Sequence, residues 1–153
     1  NKRAIQNHHD VNSEKPRPPD NRKLKVTVIS AMALPKPKNS QQGEVVDPYC
    51  YCFLEGLGVD KDKTLTTTVV ENNGFHPVFK GKPGDTCTFT IPHTEMTTLV
   101  FQVFDKDVDN DDLLCEAFLP VHLIREGLRN VPMWSKHHKP LASTYVMAEF
   151  EFL

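Results

Sequence analysis

No apolar run in the chain reaches the roughly 20 residues that a membrane-spanning helix needs, and its start carries no apolar signal core. A glycine-rich phosphate loop, a nucleophile-elbow motif and a His-Glu pair at metalloprotease spacing are all missing, so nothing marks these residues as an enzyme in themselves. Cysteine is sparse. Cys50, Cys52, Cys87 and Cys115 each fall inside a strand-like run and none forms a Cys-x-x-Cys pair, which argues against zinc. They read as buried free thiols of a cytosolic protein. An excess of one charge is absent too: Lys+Arg 18 stand against Asp+Glu 20, which excludes an intrinsically basic nucleic-acid binder.

What remains, at 153 residues and 39% hydrophobic, is one domain with an appendage. Residues 1–22 are polar, contain His8-His9 and Pro16-Arg17-Pro18-Pro19, and have no strand or helix period. They read as a linker or an arm lying on a neighbour, with the histidine pair solvated. Lys2, Arg3, Lys15, Arg17, Arg22 and Lys23 outweigh three acids over residues 1–23, so the body that follows is mildly acidic. The first residue is not Met, and the chain reads as a piece of a longer protein.

From Lys23 the pattern turns to strands. Leu24, Val26 and Val28 alternate with polar residues up to a stop at Ala33. A second strand spans Tyr49–Glu55, apolar on both faces, and a third spans Lys63–Val70, rich in Thr and Val. Further strands are expected at Thr86–Ile91, Leu99–Phe104, Leu113–Val121, Arg129–Trp134 and Ser143–Leu153, with a short helical turn in 122–127. Eight short strands with regular turn signals predict an antiparallel all-β sandwich.

Between the fifth and sixth strands lies Asp105-Lys106-Asp107-Val108-Asp109-Asn110-Asp111-Asp112, five aspartates in eight residues. Carboxylates this crowded repel one another, and the hard cation that takes six to eight oxygens, Ca²⁺, is the natural neutraliser. A solvated acidic tip is the plain alternative. An EF-hand is weighed as well, since Asp105, Asp107, Asp109, Asp111 and Glu116 fall at positions 1, 3, 5, 7 and 12. It fails because Asn110 and Asp112 sit where glycine and an apolar residue belong, and because Thr97–Phe104 is a poor helix.

Val46-Asp47-Pro48-Tyr49 at the second strand, together with Phe104-Asp105-Lys106-Asp107 and Asp112-Leu113-Leu114, resembles the C2 domain, an eight-stranded Greek-key β-sandwich. Leu34-Pro35-Lys36, Glu55-Gly56-Leu57-Gly58, Asn72-Asn73-Gly74-Phe75 and Leu141–Val146 are most similar to the C2 domain of phosphoinositide-specific phospholipase C. The likeness covers about residues 23–153. It implies that three loops meet at one end and hold Ca²⁺ through Asp47, Asp105, Asp107 and Asp112, the amides of Asn72 and Asn73, and the carbonyl of Val45. The family's early loop-one aspartate is missing, with only Glu44 nearby; His76 replaces an asparagine and Phe79 a tryptophan.

The resemblance further implies an electrostatic switch at an anionic phospholipid surface, with Val46, Val108, Leu113, Lys36, Lys38 and Lys106 touching the membrane. The lysines serve equally as solubilising charges, and Leu114 is assigned to the core. A parent phospholipase would hydrolyse phosphatidylinositol 4,5-bisphosphate in a barrel upstream, so the partners are the membrane and that catalytic domain. The expected location is cytoplasmic and peripheral to the membrane. The alternative is a calcium-independent C2 domain that serves as a protein-interaction or structural module.

Overall fold

The computed structural model describes residues 17–37 and 42–153. Residues 1–16, with His8-His9, and Lys38 lie outside them. Eight strands form: β1 Arg22–Met32, β2 Pro48–Gly56, β3 Thr64–Thr66, β4 Thr86–Ile91, β5 Thr97–Asp105, β6 Asp112–Pro120, β7 Gly127–Trp134 and β8 Pro140–Phe152. Among the described residues the remaining regular structure is two single 3-10 turns, Thr94–Met96 and Val121–Leu123. The second begins one residue before the helical turn expected from the sequence.

All pairings are antiparallel, and the strand order is β3-β2-β5-β6-β7-β8-β1-β4. Only one residue pair, Glu116 with Trp134, joins β6 to β7. The sheet therefore behaves as two four-stranded halves laid face to face. The ring of Phe101 on β5 meets that of Phe150 on β8 edge-on, with centroids 6.1 Å apart. Alternation explains which side chains lie between the halves: Leu24, Val26 and Val28 of β1 and Cys50 and Cys52 of β2 are fully buried. Burying a side chain the size of Phe89 or Phe101 contributes about 1.5–3 kcal/mol, so this shared interior is what fixes the register. All four cysteines are free, and three of them are buried.

Two strands differ from the sequence reading. The third is only Thr64–Thr66; beyond it the edge leaves regular pairing, held by N–H donation from Thr67 to the Cys50 carbonyl and from Val70 to that of Pro48. In β1 the register shifts between Val28 and Ser30. Past that bulge, Ser30 and Ala31 are both buried, which a strict two-residue period does not anticipate.

The register gives the sandwich two poles. Met32, Pro48, Asp105 and Asp112, together with the turn between β7 and β8, lie at one end. Arg22, Ile91, Gly56 and Pro120 lie at the other. There residues 17–21 are strapped onto the body. The Asp20 carboxylate accepts from both the N–H and the hydroxyl of Thr94, and Arg17 pairs with Glu95 at 2.7 Å. The Thr94 hydroxyl is the main reason that Asp20's carboxyl lies below its usual range.

Candidate metal centre

Asp47 and Asp105, 58 residues apart, are brought into contact because β2 and β5 pair from Pro48 opposite Asp105. The Asp47 N–H donates to Asp105 Oδ1 at 2.8 Å, and the Lys106 N–H returns to the Asp47 carbonyl at 2.9 Å. Loop one is thereby clamped to loop three. Loop two joins through the Asn72 N–H, which donates to Asp47 Oδ1 at 2.7 Å. Asn72 takes φ 52°, a left-handed conformation that asparagine tolerates better than most residues. Loops one and two are also zipped along their backbones: the Leu34 N–H reaches the Gly74 carbonyl, that of Ala33 reaches Phe75, and that of Asn73 reaches Val46.

Beside this junction lies a cleft of about 270 Å³, lined by Pro37, Glu44, Asp105, Asp107, Asp109, Asn110 and Asp112. Burial pushes the Asp105 carboxyl above its ordinary range, and the nearby charges of Asp47, Asp107 and Asp112 add to that push. The donated Asp47 N–H works the other way without cancelling it. One oxygen each of Asp47 and Asp105 accepts a backbone N–H, and the other has no donor among the described residues. The donor set is all oxygen and net negative, which fits a hard divalent cation. Among the described residues no three His, Cys, Asp or Glu side chains stand close enough to share one ion as they are.

The sequence missed the part played by Asp111. Its Oδ2 accepts from the Tyr49 hydroxyl at 2.6 Å, and its Oδ1 accepts from the Asp107 N–H at 3.0 Å. These two bonds, led by the Tyr49 hydroxyl, hold the Asp111 carboxyl below its usual range, while burial and Asp111 push the Tyr49 phenol up to about 12. Asp111 is thus a brace for loop three. Lys106, an expected membrane contact, is a further neighbour, its Nζ lying 3.5 Å from Asp111 Oδ2 in a partly exposed ion pair.

The remaining expected residues divide. Asp47, Asp105, Asp107 and Asp112 share the pole. Asn72 contributes its backbone N–H, and Asn73 is turned back on loop two, with its Oδ1 accepting from the His76 N–H and its Nδ2 donating to the His76 carbonyl. Val46, expected at the rim, is 3% exposed and is a core residue, because Gly74 lies directly against its side chain. Leu114 is buried as expected, Leu113 is half-buried, and Lys36 is exposed. Val108 is 97% exposed at the tip, and Val45 is exposed. A neighbour nobody reads from strand periodicity is Phe75, 77% exposed, which with Val45, Leu34 and Lys36 lines an apolar cleft on the far side of loop one.

A family model described as C2 domain matches residues 22–136. The chain belongs to the C2 domain family. Among its curated relatives is the mouse 1-phosphatidylinositol 4,5-bisphosphate phosphodiesterase eta-2, 36% identical over 78% of this chain and 8% of that protein. Another is the human inactive phospholipase C-like protein 2, 33% identical over 78% of this chain and 10% of the relative. The chain therefore spans a small part of the length of the curated relatives it matches. In fold it is similar to a C2 domain of plant extended synaptotagmin 1, with a TM-score of 0.67 at 20% identity, covering 90% of this chain and 96% of that one. Among the described residues no helix is long and apolar enough to cross a membrane.

Proposed function

We propose that this C2 domain targets its parent to anionic phospholipid membranes in a calcium-dependent way. We take that parent to be a phosphoinositide-specific phospholipase C, with this domain C-terminal to its catalytic barrel. The observation that carries the reading is the contact of Asp47 with Asp105 beside Asp107 and Asp112, at one pole of the sandwich. Bound Ca²⁺ would supply positive charge and open coordination positions for lipid oxygens. The chain's own part is to hold the carboxylates together through the Tyr49–Asp111 brace and the Asn72–Asp47 contact. Val108 stands at the tip of loop three, suited to enter the headgroup region. Hydrolysis of phosphatidylinositol 4,5-bisphosphate, the substrate for which the phosphodiesterase relatives are named, would belong to the parent's other residues.

The separation of the carboxylates in this structure and the missing loop-one acid favour one second reading, a calcium-independent module for protein contacts. Calorimetric titration with Ca²⁺, repeated with anionic liposomes, divides the two. Heat and calcium-dependent cosedimentation that both vanish in Asp105→Asn/Asp107→Asn support targeting; no heat at millimolar calcium under either condition supports the second reading.

A further inference from the structure

The turn between β7 and β8, Ser135-Lys136-His137-His138-Lys139, is basic, and the register carries it to the acidic pole. Trp134 pairs with Glu116 on β6, four residues beyond Asp112, and Pro140 pairs back with Trp134. On β8 the Thr144 hydroxyl donates to the Ala33 carbonyl at 2.7 Å, at the start of loop one. The turn thus lies at the same pole as loops one and three.

It is a built feature. The Ser135 N–H donates to the Lys139 carbonyl at 2.7 Å, and the His138 N–H donates to the Ser135 carbonyl at 2.9 Å. The Ser135 hydroxyl oxygen accepts from the N–H groups of His137 and Lys139. His138 takes φ 61° to close the turn, and its Nδ1 lies 3.7 Å from Glu116 Oε1 on β6. Lys136 and Lys139 are exposed, and neither has a carboxylate within ion-pair distance among the described residues. Trp134 is 44% exposed beside them, an amphipathic ring of the kind that settles at membrane interfaces.

Two uncompensated lysines on a braced turn, beside an exposed tryptophan and separate from the carboxylates' own loops, form a surface complementary to anionic headgroups. We infer that this turn is a second membrane contact, one that docks the domain on anionic bilayers without calcium and leaves the acidic cleft to strengthen the attachment when calcium is present. The inference rests on the proposed reading of this pole as membrane-facing, but not on any metal being bound. It also gives the acidic pole an initial attraction that its carboxylates alone would oppose.

The test is cosedimentation of the 153-residue chain, in chelator at low ionic strength, with vesicles of phosphatidylcholine alone or mixed with phosphatidylserine. The chain should bind the mixed vesicles and not the neutral ones. Lys136→Ala/Lys139→Ala should lower that binding roughly thirtyfold, from the contribution of each basic residue near an anionic surface. Lys136→Arg/Lys139→Arg should retain it, which separates charge from folding. Asp105→Asn/Asp107→Asn should keep or strengthen binding in chelator while losing any increment from calcium, so failure of the calcium reading is seen separately. Equal binding by the alanine variant and the parent in chelator, equal binding to neutral and mixed vesicles, or no binding by the parent would each overturn the inference.

Discussion

Replacing Asp105 by Asn tests the acidic pole in a single step. Asn retains an Oδ1 that can accept the Asp47 N–H, now bonded at 2.8 Å, while removing the charge that Asp47, Asp107 and Asp112 repel. Each such repulsion is worth at most about 1 kcal/mol, the value at contact distance in a water-like dielectric, and with these partly exposed carboxylates standing farther apart the three together come to about 2 kcal/mol. Against this gain stands the loss of charge assistance in one hydrogen bond, about 1 kcal/mol. The balance is a metal-free protein stabilised by roughly 1 kcal/mol, or about 2–4 °C in melting temperature for a chain of this size. With calcium the order should reverse. Losing one charge-assisted ligand contact of about 1.5–3 kcal/mol weakens binding roughly tenfold to a hundredfold and removes most of the calcium-induced rise in melting temperature.

Melting followed by circular dichroism, with chelator and with calcium, reads both effects. The parent's acid dependence gives a further check. Because the Asp105 carboxyl titrates above its ordinary range, its neutral form is favoured in the folded state, and its unfavourable charge is relieved as pH falls through that raised value. The stabilisation that Asp105→Asn confers on the metal-free protein should therefore shrink as the pH falls through that range, and the parent's calcium affinity should fall over the same range. A variant that melts several degrees lower in chelator, or that keeps the full calcium shift, would refute the view of Asp105 as a strained ligand.

Tyr49→Phe removes the hydroxyl bonded to Asp111 at 2.6 Å and should cost about 1 kcal/mol between mildly acidic and mildly alkaline pH. The phenol's value rises from 10.0 to about 12 on folding, so this contribution is whole below pH 10 and is lost as pH climbs through 12. Alkaline melting curves of the two proteins should accordingly converge; a constant gap would contradict the brace. Gly84→Ala places a Cβ 2.1 Å from the Thr66 carbonyl oxygen at φ +81°, and should lower stability by about 2–4 kcal/mol in denaturant titration. A midpoint unchanged from the parent's would refute that. Val108→Asn, at a position 97% exposed, should leave the melting temperature unaltered while weakening calcium-dependent vesicle binding several-fold. Full retention of binding would remove Val108 from the membrane contact.

The sandwich was legible because its cues are local. Strand alternation and turn residues mark β1, β2, β4 and β8 without reference to anything distant, and the Asp-Pro-Tyr and Asp-x-Asp motifs identify which loops are special. Side-chain direction within those loops is another matter. Val46 is core and Val45 exposed only because Gly74 of another loop presses against Val46, and no pattern in residues 42–48 encodes that pressure. The family resemblance makes Asn73 a ligand, yet two bonds to the His76 backbone use both ends of its amide. Asp111 sits in an acidic run where every residue has the same chemistry. What distinguishes it is a tyrosine 62 positions earlier, and that pairing exists only once β2 lies beside β5.

The same contacts bear on how an acidic pole survives in a folded protein. Asp47 and Asp105 each accept a backbone N–H from a different loop, so each holds the loops in place as well as bearing charge. Removing the carbonyl oxygen and removing the charge are then different experiments. Asp105→Ala relieves the same repulsion but leaves the Asp47 N–H without its acceptor, at about 1–3 kcal/mol, so in chelator it should be less stable than Asp105→Asn by about that amount. A gap of that size between two uncharged substitutions at one site cannot come from a solvated acidic tip, whose carboxylate touches nothing. It requires a side chain that is both a structural acceptor and a source of repulsion, which is what the clamp between loops one and three makes of Asp105.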